Sequence, residues 1–189
     1  MSFLLMPTPV AARRLFLGRT GLTLSGAAVA LLAGNHALAA QAGESSAADA
    51  QILNTALGAE LEAIAAYQLG AESKLLQKPA LDLALTFQGH HKEHADLLAK
   101  TVEKLGGKPV GAKVKYNFPV EQLKSQTDVL RFAASLEQGA VSAYLGAVPL
   151  FGNRDLAKAA ASILGDEAMH WAILRQVLGE TPVPSAYVS

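Results

Sequence analysis

The chain repeats itself, and the repeat is helical. Adding 77 to Leu53, Leu57, Glu60, Ile64, Tyr67 and Ala71 gives Leu130, Ala134, Glu137, Val141, Tyr144 and Val148. Within each set the positions step by four and three residues, the spacing of one stripe along an α-helix. A second pair of stripes is related by 76. Ala84, Phe87, His91, His94 and Leu98 become Ala160, Ile163, Glu167, His170 and Leu174. Each half is therefore a helical hairpin, and four such stripes are buried by facing one another. The expected fold is all-α: an antiparallel four-helix bundle built from two repeated hairpins. Composition agrees, with 51% hydrophobic residues and only 6% aromatics.

The breaks place the elements. The first helix is expected from about Ala48 to Leu75 and the second from Pro79 to about Leu105, with Pro79 in a first turn and Gly106-Gly107 as a stop. Gly106 to about Gln126 is rich in Gly and Pro and long enough to cross the whole bundle. The third helix is expected from about Asp128 to Leu150. The fourth runs from about Asp155 to Leu178, and residues 179–189 form a tail. Leu105-Gly-Gly-Lys-Pro-Val110 echoes Leu178-Gly-Glu-Thr-Pro-Val183, so the repeat extends to the helix ends.

Residues 1–39 read as a targeting segment. Arg13-Arg14-Leu15-Phe16-Leu17 resembles a twin-arginine export signal, an apolar run follows from Thr20 to Ala33, and Ala37-Leu38-Ala39 suits a signal peptidase. The expectation is a periplasmic protein without stable membrane insertion after cleavage. The other reading is an uncleaved anchor, for which the apolar run is short. Residues 40–47 are small and polar and are expected as a flexible lead-in to a bundle over 48–178. Of the 16 Lys and Arg, three lie in the leader, so 13 face 16 Asp and Glu in the remainder. That balance offers no electrostatic case for nucleic acid. Cysteine is absent, which excludes disulfides, thiolate metal sites and Cys nucleophiles.

The stripes bring six ionisable residues to mid-bundle: Glu60, His91, His94, Glu137, Glu167 and His170, with no Lys or Arg among them. Glu60 is the inward residue rather than Glu62, because it shares the phase of Glu137. Three carboxylates buried together cost several kcal/mol per ion unless they are protonated or bind a metal. Inward Glu and Glu-x-x-His on facing helices are how four-helix carboxylate proteins hold metal ions. Tyr67 and Tyr144 read as core residues whose hydroxyls can reach the edge of this cluster.

These motifs resemble the ferritin-like superfamily, and among its members the bacterial exported proteins with a twin-arginine signal. The family pattern is Glu on the first helix, Glu-x-x-His on the second, Glu on the third and Glu-x-x-His on the fourth, with a long crossover between the second and third. Here those positions are Glu60, His91-x-x-His94, Glu137 and Glu167-x-x-His170. The departure is His91, where the family has a carboxylate bridging two metals. The resemblance implies Glu60 and Glu137 as terminal ligands, Glu167 as a bridge, and His94 and His170 completing the set. By the same analogy Asp166 orients a histidine ligand from the other half, His94, and His90 holds the equivalent place in the second helix.

Three carboxylates leave two divalent ions with excess positive charge. The open alternatives are a single metal, a pair with one bridge, or an imidazole-rich zinc or copper site. Iron, di-iron or mononuclear, is the first expectation, with manganese, zinc or copper behind it. The implied activity is ferroxidase-like or oxygen- and peroxide-handling. The alternative is a non-enzymatic structural or stress-related bundle with a degenerate site, whose Ala-rich helices bind another helix or a second copy as a homodimer.

Overall fold

The computed structural model describes the backbone from His36 to Val188 and side chains from Ser45 onward. The chain divides into a unit over residues 1–44 and a unit from Ser45 to the C-terminus, and the second unit holds the bundle. Four α-helices are described: α1 (His36–Glu72), α2 (Lys78–Lys104), α3 (Gln126–Ala147) and α4 (Arg154–Val177). Short 3₁₀ turns occupy Val120–Gln122 and Val148–Leu150. Among the described residues there are no strands, and no helix is long and apolar enough to cross a membrane.

Local chemistry sets most helix ends. Ser125 caps α3 by accepting from Asp128 N–H, while the Asp128 carboxylate accepts from Lys124 N–H and Ser125 Oγ, a reciprocal box. Asn153 caps α4 through Asp155 N–H at 2.8 Å. Pro149 follows the last turn of α3, and the chain there tightens into the 3₁₀ turn Val148–Leu150. The third α-helix is accordingly shorter than the stripe suggests.

Both helices that carry paired motifs end in the same Schellman turn. In α2, Gly107 N–H donates to Val102 O and Gly106 N–H to Glu103 O; in α4, Glu180 N–H donates to Arg175 O and Gly179 N–H to Gln176 O. Gly106 (φ +80°) and Gly179 (φ +75°) occupy the left-handed position that a side chain disfavours. This is the physical content of the Leu-Gly echo. It falls three residues out of step because α2 has 27 residues and α4 has 24.

One boundary differs from expectation. Residues 40–47 are helical, continuous with α1. The run from His36 to Ala48 has six alanines and no proline, and its one glycine, Gly43, is a weaker break than a proline. The leader expected over 1–39 lies, up to residue 35, outside the described residues.

Two apolar layers sandwich the middle of the bundle. One joins Leu53 and Leu57 of α1, Leu98 and Val102 of α2, Tyr144 of α3, and Ala160 and Ile163 of α4. The other joins Tyr67, Ala84 and Phe87, Leu130 and Ala134, and Leu174. Early α1 therefore meets late α2, late α3 and early α4. The helices run up, down, down, up, and α2 and α3 are parallel. Consecutive helices that run parallel need a connection that returns the length of the bundle, and residues 105–125 supply it. Asn54 holds its start through Lys108 O and Val110 N–H. Near its end Phe118 packs edge-on against Phe132 of α3.

The first helix is also fastened part-way along, at Asp49. Asp49, 2% exposed, accepts from Gly152 N–H at 2.8 Å and Asn153 N–H at 3.0 Å in the α3–α4 turn. Beyond α4 the chain is exposed from Gly179 to Tyr187, with Arg175 donating to Thr181 O.

Candidate metal centre

The six ionisable stripe residues lie together between the two apolar layers. Glu60, His91, Glu137, Glu167 and His170 are buried at 3% exposure or less. His94 is partly buried, on the side where Asp166 and the half-exposed His90 meet solvent. Each of the four helices contributes: Glu60 from α1, His91 and His94 from α2, Glu137 from α3, and Glu167 and His170 from α4.

The polar atoms form two interlocking donor groups: Glu60, His91, His94 and Glu167, and Glu137, His91, His170 and Glu167. Glu167 spans them. Its Oε1 is 3.1 Å from His94 Nδ1 and its Oε2 is 3.3 Å from His170 Nδ1. His91 Nδ1 is 2.8 Å from Glu60 Oε2, and its Nε2 is 3.3 Å from Glu137 Oε1.

Three buried atoms, His94 Nδ1, Glu137 Oε2 and Glu167 Oε1, have no hydrogen-bond partner. Two of them are 3.1 Å apart and still not aligned with one another. Polar atoms that converge without aligned pairing are costly inside a protein, and once His94 gives up its proton they suit a cation between them. Carboxylate oxygen and imidazole nitrogen are donors that divalent iron, manganese and zinc accept, so these residues fit a metal.

The outer nitrogens are held as well. His94 Nε2 is 3.4 Å from Asp166 Oδ2, the contact across the halves expected for Asp166. His170 Nε2 is 2.8 Å from His90 Nδ1 and 3.3 Å from the same Asp166 oxygen. His90, Asp166 and His170 make a third, more open group of metal-capable side chains. Phe87 stacks on the His170 ring with centroids 4.0 Å apart and fixes its plane.

A profile of the ferritin-like domain matches residues 48–180, which take in α1 from Ala48 and all of α2, α3 and α4. The chain belongs to the ferritin-like domain family. This ferritin-like chain shares its fold with a conserved hypothetical protein from Mycobacterium tuberculosis (24% identity, TM-score 0.66, 76% of this chain and 99% of that one). It also shares it with a ferritin-like diiron-carboxylate protein from Bacillus anthracis str. Ames (20% identity, TM-score 0.62, 71% and 97%). No curated protein matches the sequence.

Within this ferritin-like bundle the two tyrosines do more than fill the core. Tyr67 of α1 donates to Glu137 Oε1 of α3, and Tyr144 of α3 donates to Glu60 Oε1 of α1 at 2.6 Å. The two bonds are images of one another under the internal repeat. A heptad separates each Tyr from the Glu on its own helix, about 10 Å along the axis and out of reach. Because α1 and α3 run in opposite directions, that same seven-residue offset brings each Tyr level with the other helix's Glu. Only the stripe is visible in the sequence; the level of one helix against another is not.

The charge balance differs from a bare carboxylate cluster. Burial disfavours the His91 imidazolium, but hydrogen bonds to Glu137 and Glu60 and the nearby carboxylates outweigh it and raise its pKa to about 10. His94 rises to about 9 against burial, through Glu167 and Glu60, and His170 to about 9, through Glu137 and Glu167. Burial pushes the Glu60 carboxyl up, yet His91 and His94 hold it below its usual value. Glu137 is likewise held low by His170 and His91. Burial, and then the neighbouring carboxylates, push both tyrosines well above the ordinary phenol range, so they remain donors. The expectation that carboxylates without a metal must take up protons is thus corrected for Glu60 and Glu137. There the protons sit on the imidazoles, because His91 and His94 lie beside Glu60, and His91 and His170 beside Glu137.

Proposed function

We propose that this is an exported metal-binding ferritin-like protein that holds one or two metal ions, iron first, among Glu60, His91, His94, Glu137, Glu167 and His170. The observation that carries the reading is the set of converging, unpartnered ligand atoms on His94, Glu137 and Glu167 in a buried centre. The diiron-carboxylate description of the Bacillus anthracis neighbour is consistent with iron. Bound iron would supply the electrons for ferroxidase-like chemistry on oxygen or peroxide.

The residues of the chain prepare the centre. Glu60 and Glu137 are each oriented by a tyrosine hydroxyl from the opposite hairpin. His94 and His170 turn Nδ1 inward, with Nε2 against Asp166 and His90, an arrangement that fixes ring orientation and ligand basicity. The two apolar layers keep bulk water from the buried side, and the His90–Asp166 edge is the side open to solvent. Export rests on the Arg13-Arg14 motif and would take the protein to the periplasm.

A second reading is favoured by the charge balance. A cluster already neutralised by its own imidazoles suits a helical bundle that stands without metal. Metal content per chain decides between them. The measurement is made on periplasmic protein isolated without chelators, beside a Glu137→Ala, Glu167→Ala double variant. One or two ions per chain, lost in the variant, support the metal reading. No metal and no uptake of added ferrous iron by the wild type refute it. An Arg13→Lys, Arg14→Lys variant is expected to remain in the cytoplasm, and unchanged export would remove the twin-arginine assignment.

A further inference from the structure

The geometry points to His91 as a ligand shared by two metal ions, one on each ring nitrogen, standing in for a bridging carboxylate. This rests on the metal-binding reading and commits it to two ions.

The ring lies across the midline of the centre. Nδ1 faces Glu60 Oε2 at 2.8 Å and Glu167 Oε1 at 3.6 Å, and Nε2 faces Glu137 Oε1 at 3.3 Å. Glu60 and Glu137 belong to different donor groups, and only His91 and Glu167 belong to both. A histidine serving one ion normally gives its second nitrogen to an acceptor outside the coordination sphere. His94 and His170 do this, with Nε2 turned outward to Asp166 and His90. His91 does not: its polar contacts on both nitrogens are the three site carboxylates themselves.

The internal repeat says the same. His91 and Glu167 are equivalent positions in the two hairpins, and Glu167 already divides its two oxygens between the halves, toward His94 and toward His170. Charge closes the argument. Three carboxylates against two divalent ions leave one positive charge buried, which is expensive. A ring bound through both nitrogens has released both N–H protons to solvent and carries one negative charge, so the centre becomes neutral. The ions such a pair of donors takes are those that accept imidazole, such as zinc, copper and iron.

Zinc is the probe, because it has no redox chemistry to confuse the titration. Calorimetric titration of wild-type protein, His91→Ala and His91→Glu is run with circular dichroism as a check on folding. The wild type is expected to bind two zinc ions. His91→Ala is expected to weaken both by at least about tenfold. His91→Glu, which restores two oxygens and one negative charge, is expected to bind two. Should His91→Ala fail to fold, the anomalous map of zinc-loaded wild-type crystals supplies the answer without a variant. A ring between two zinc ions supports the bridge, and a ring touching one or none overturns it. Loss at one zinc only, or at neither, also overturns the bridge and leaves the metal reading standing. No zinc uptake by the wild type overturns both.

Discussion

Without metal, this bundle should be most stable in mild acid and lose stability steadily as the pH rises above neutrality. The cause is the proton inventory of the centre. His91, His94 and His170 hold their protons up to about 10, 9 and 9 when folded, against 6.5 when unfolded. A raised folded value contributes fully below 6.5 and is lost as pH climbs through the folded value. Glu60 and Glu137 are shifted the other way, below 4.5. Their contribution is present above 4.5 and lost as pH falls through their folded values. The two sets overlap between 4.5 and 6.5, where the metal-free protein should peak.

Between about pH 7 and 8 each histidine keeps a proton that the unfolded chain has largely released, a slope of about 1.4 kcal/mol per pH unit. Three together give up to about 4 kcal/mol per unit, a large share of the roughly 5–15 kcal/mol that holds an ordinary domain. Urea denaturation in chelator at pH 5.5, 7.0 and 8.5 measures it, read as the midpoint at constant m-value. A stability that is flat or rising from 6.5 to 9 would refute the reasoning, because it would mean that the buried imidazoles are neutral. Saturating zinc should flatten the slope, since metal displaces the same protons.

Two further variants probe how the centre is held. Tyr144→Phe removes a buried donor to Glu60 and should cost the metal-free protein about 1.5–3 kcal/mol; an unchanged urea midpoint would show that the carboxylate finds another partner. Asp49→Ala, remote from the centre, removes two charge-assisted bonds to the α3–α4 turn and should cost about 2–3 kcal/mol. Its zinc stoichiometry should be that of the wild type, and a lost ion would tie this fastening to the site.

How much is legible in the sequence depends on what is local. Helical periodicity is a property of neighbouring residues, so the stripes alone bring Glu60, His91, His94, Glu137, Glu167 and His170 to one side of four helices. The repeat resolves Glu60 from Glu62 for the same reason. The Leu-Gly echo reports two matching helix ends because a Schellman turn is made within six residues. Asp49 carries no such signal: it lies on the first helix, and its partners are backbone amides more than a hundred residues away. The extension of α1 through residues 40–47 is equally hidden, because small polar residues are compatible with either helix or coil and only the lack of a proline hints at it.

The sequence by itself determined four helices, their inward faces and the identity of the groups at mid-bundle. It did so because helix phase depends only on spacing. The tertiary structure decided which groups meet. It set α1 against α3 in opposite directions, which exchanged the tyrosine partners between hairpins. It put His91 across the midline with a nitrogen toward each half, and it drew the imidazoles close enough to the carboxylates to carry their protons. Those are matters of distance between helices, and distance between helices comes from packing, which no stretch of sequence contains.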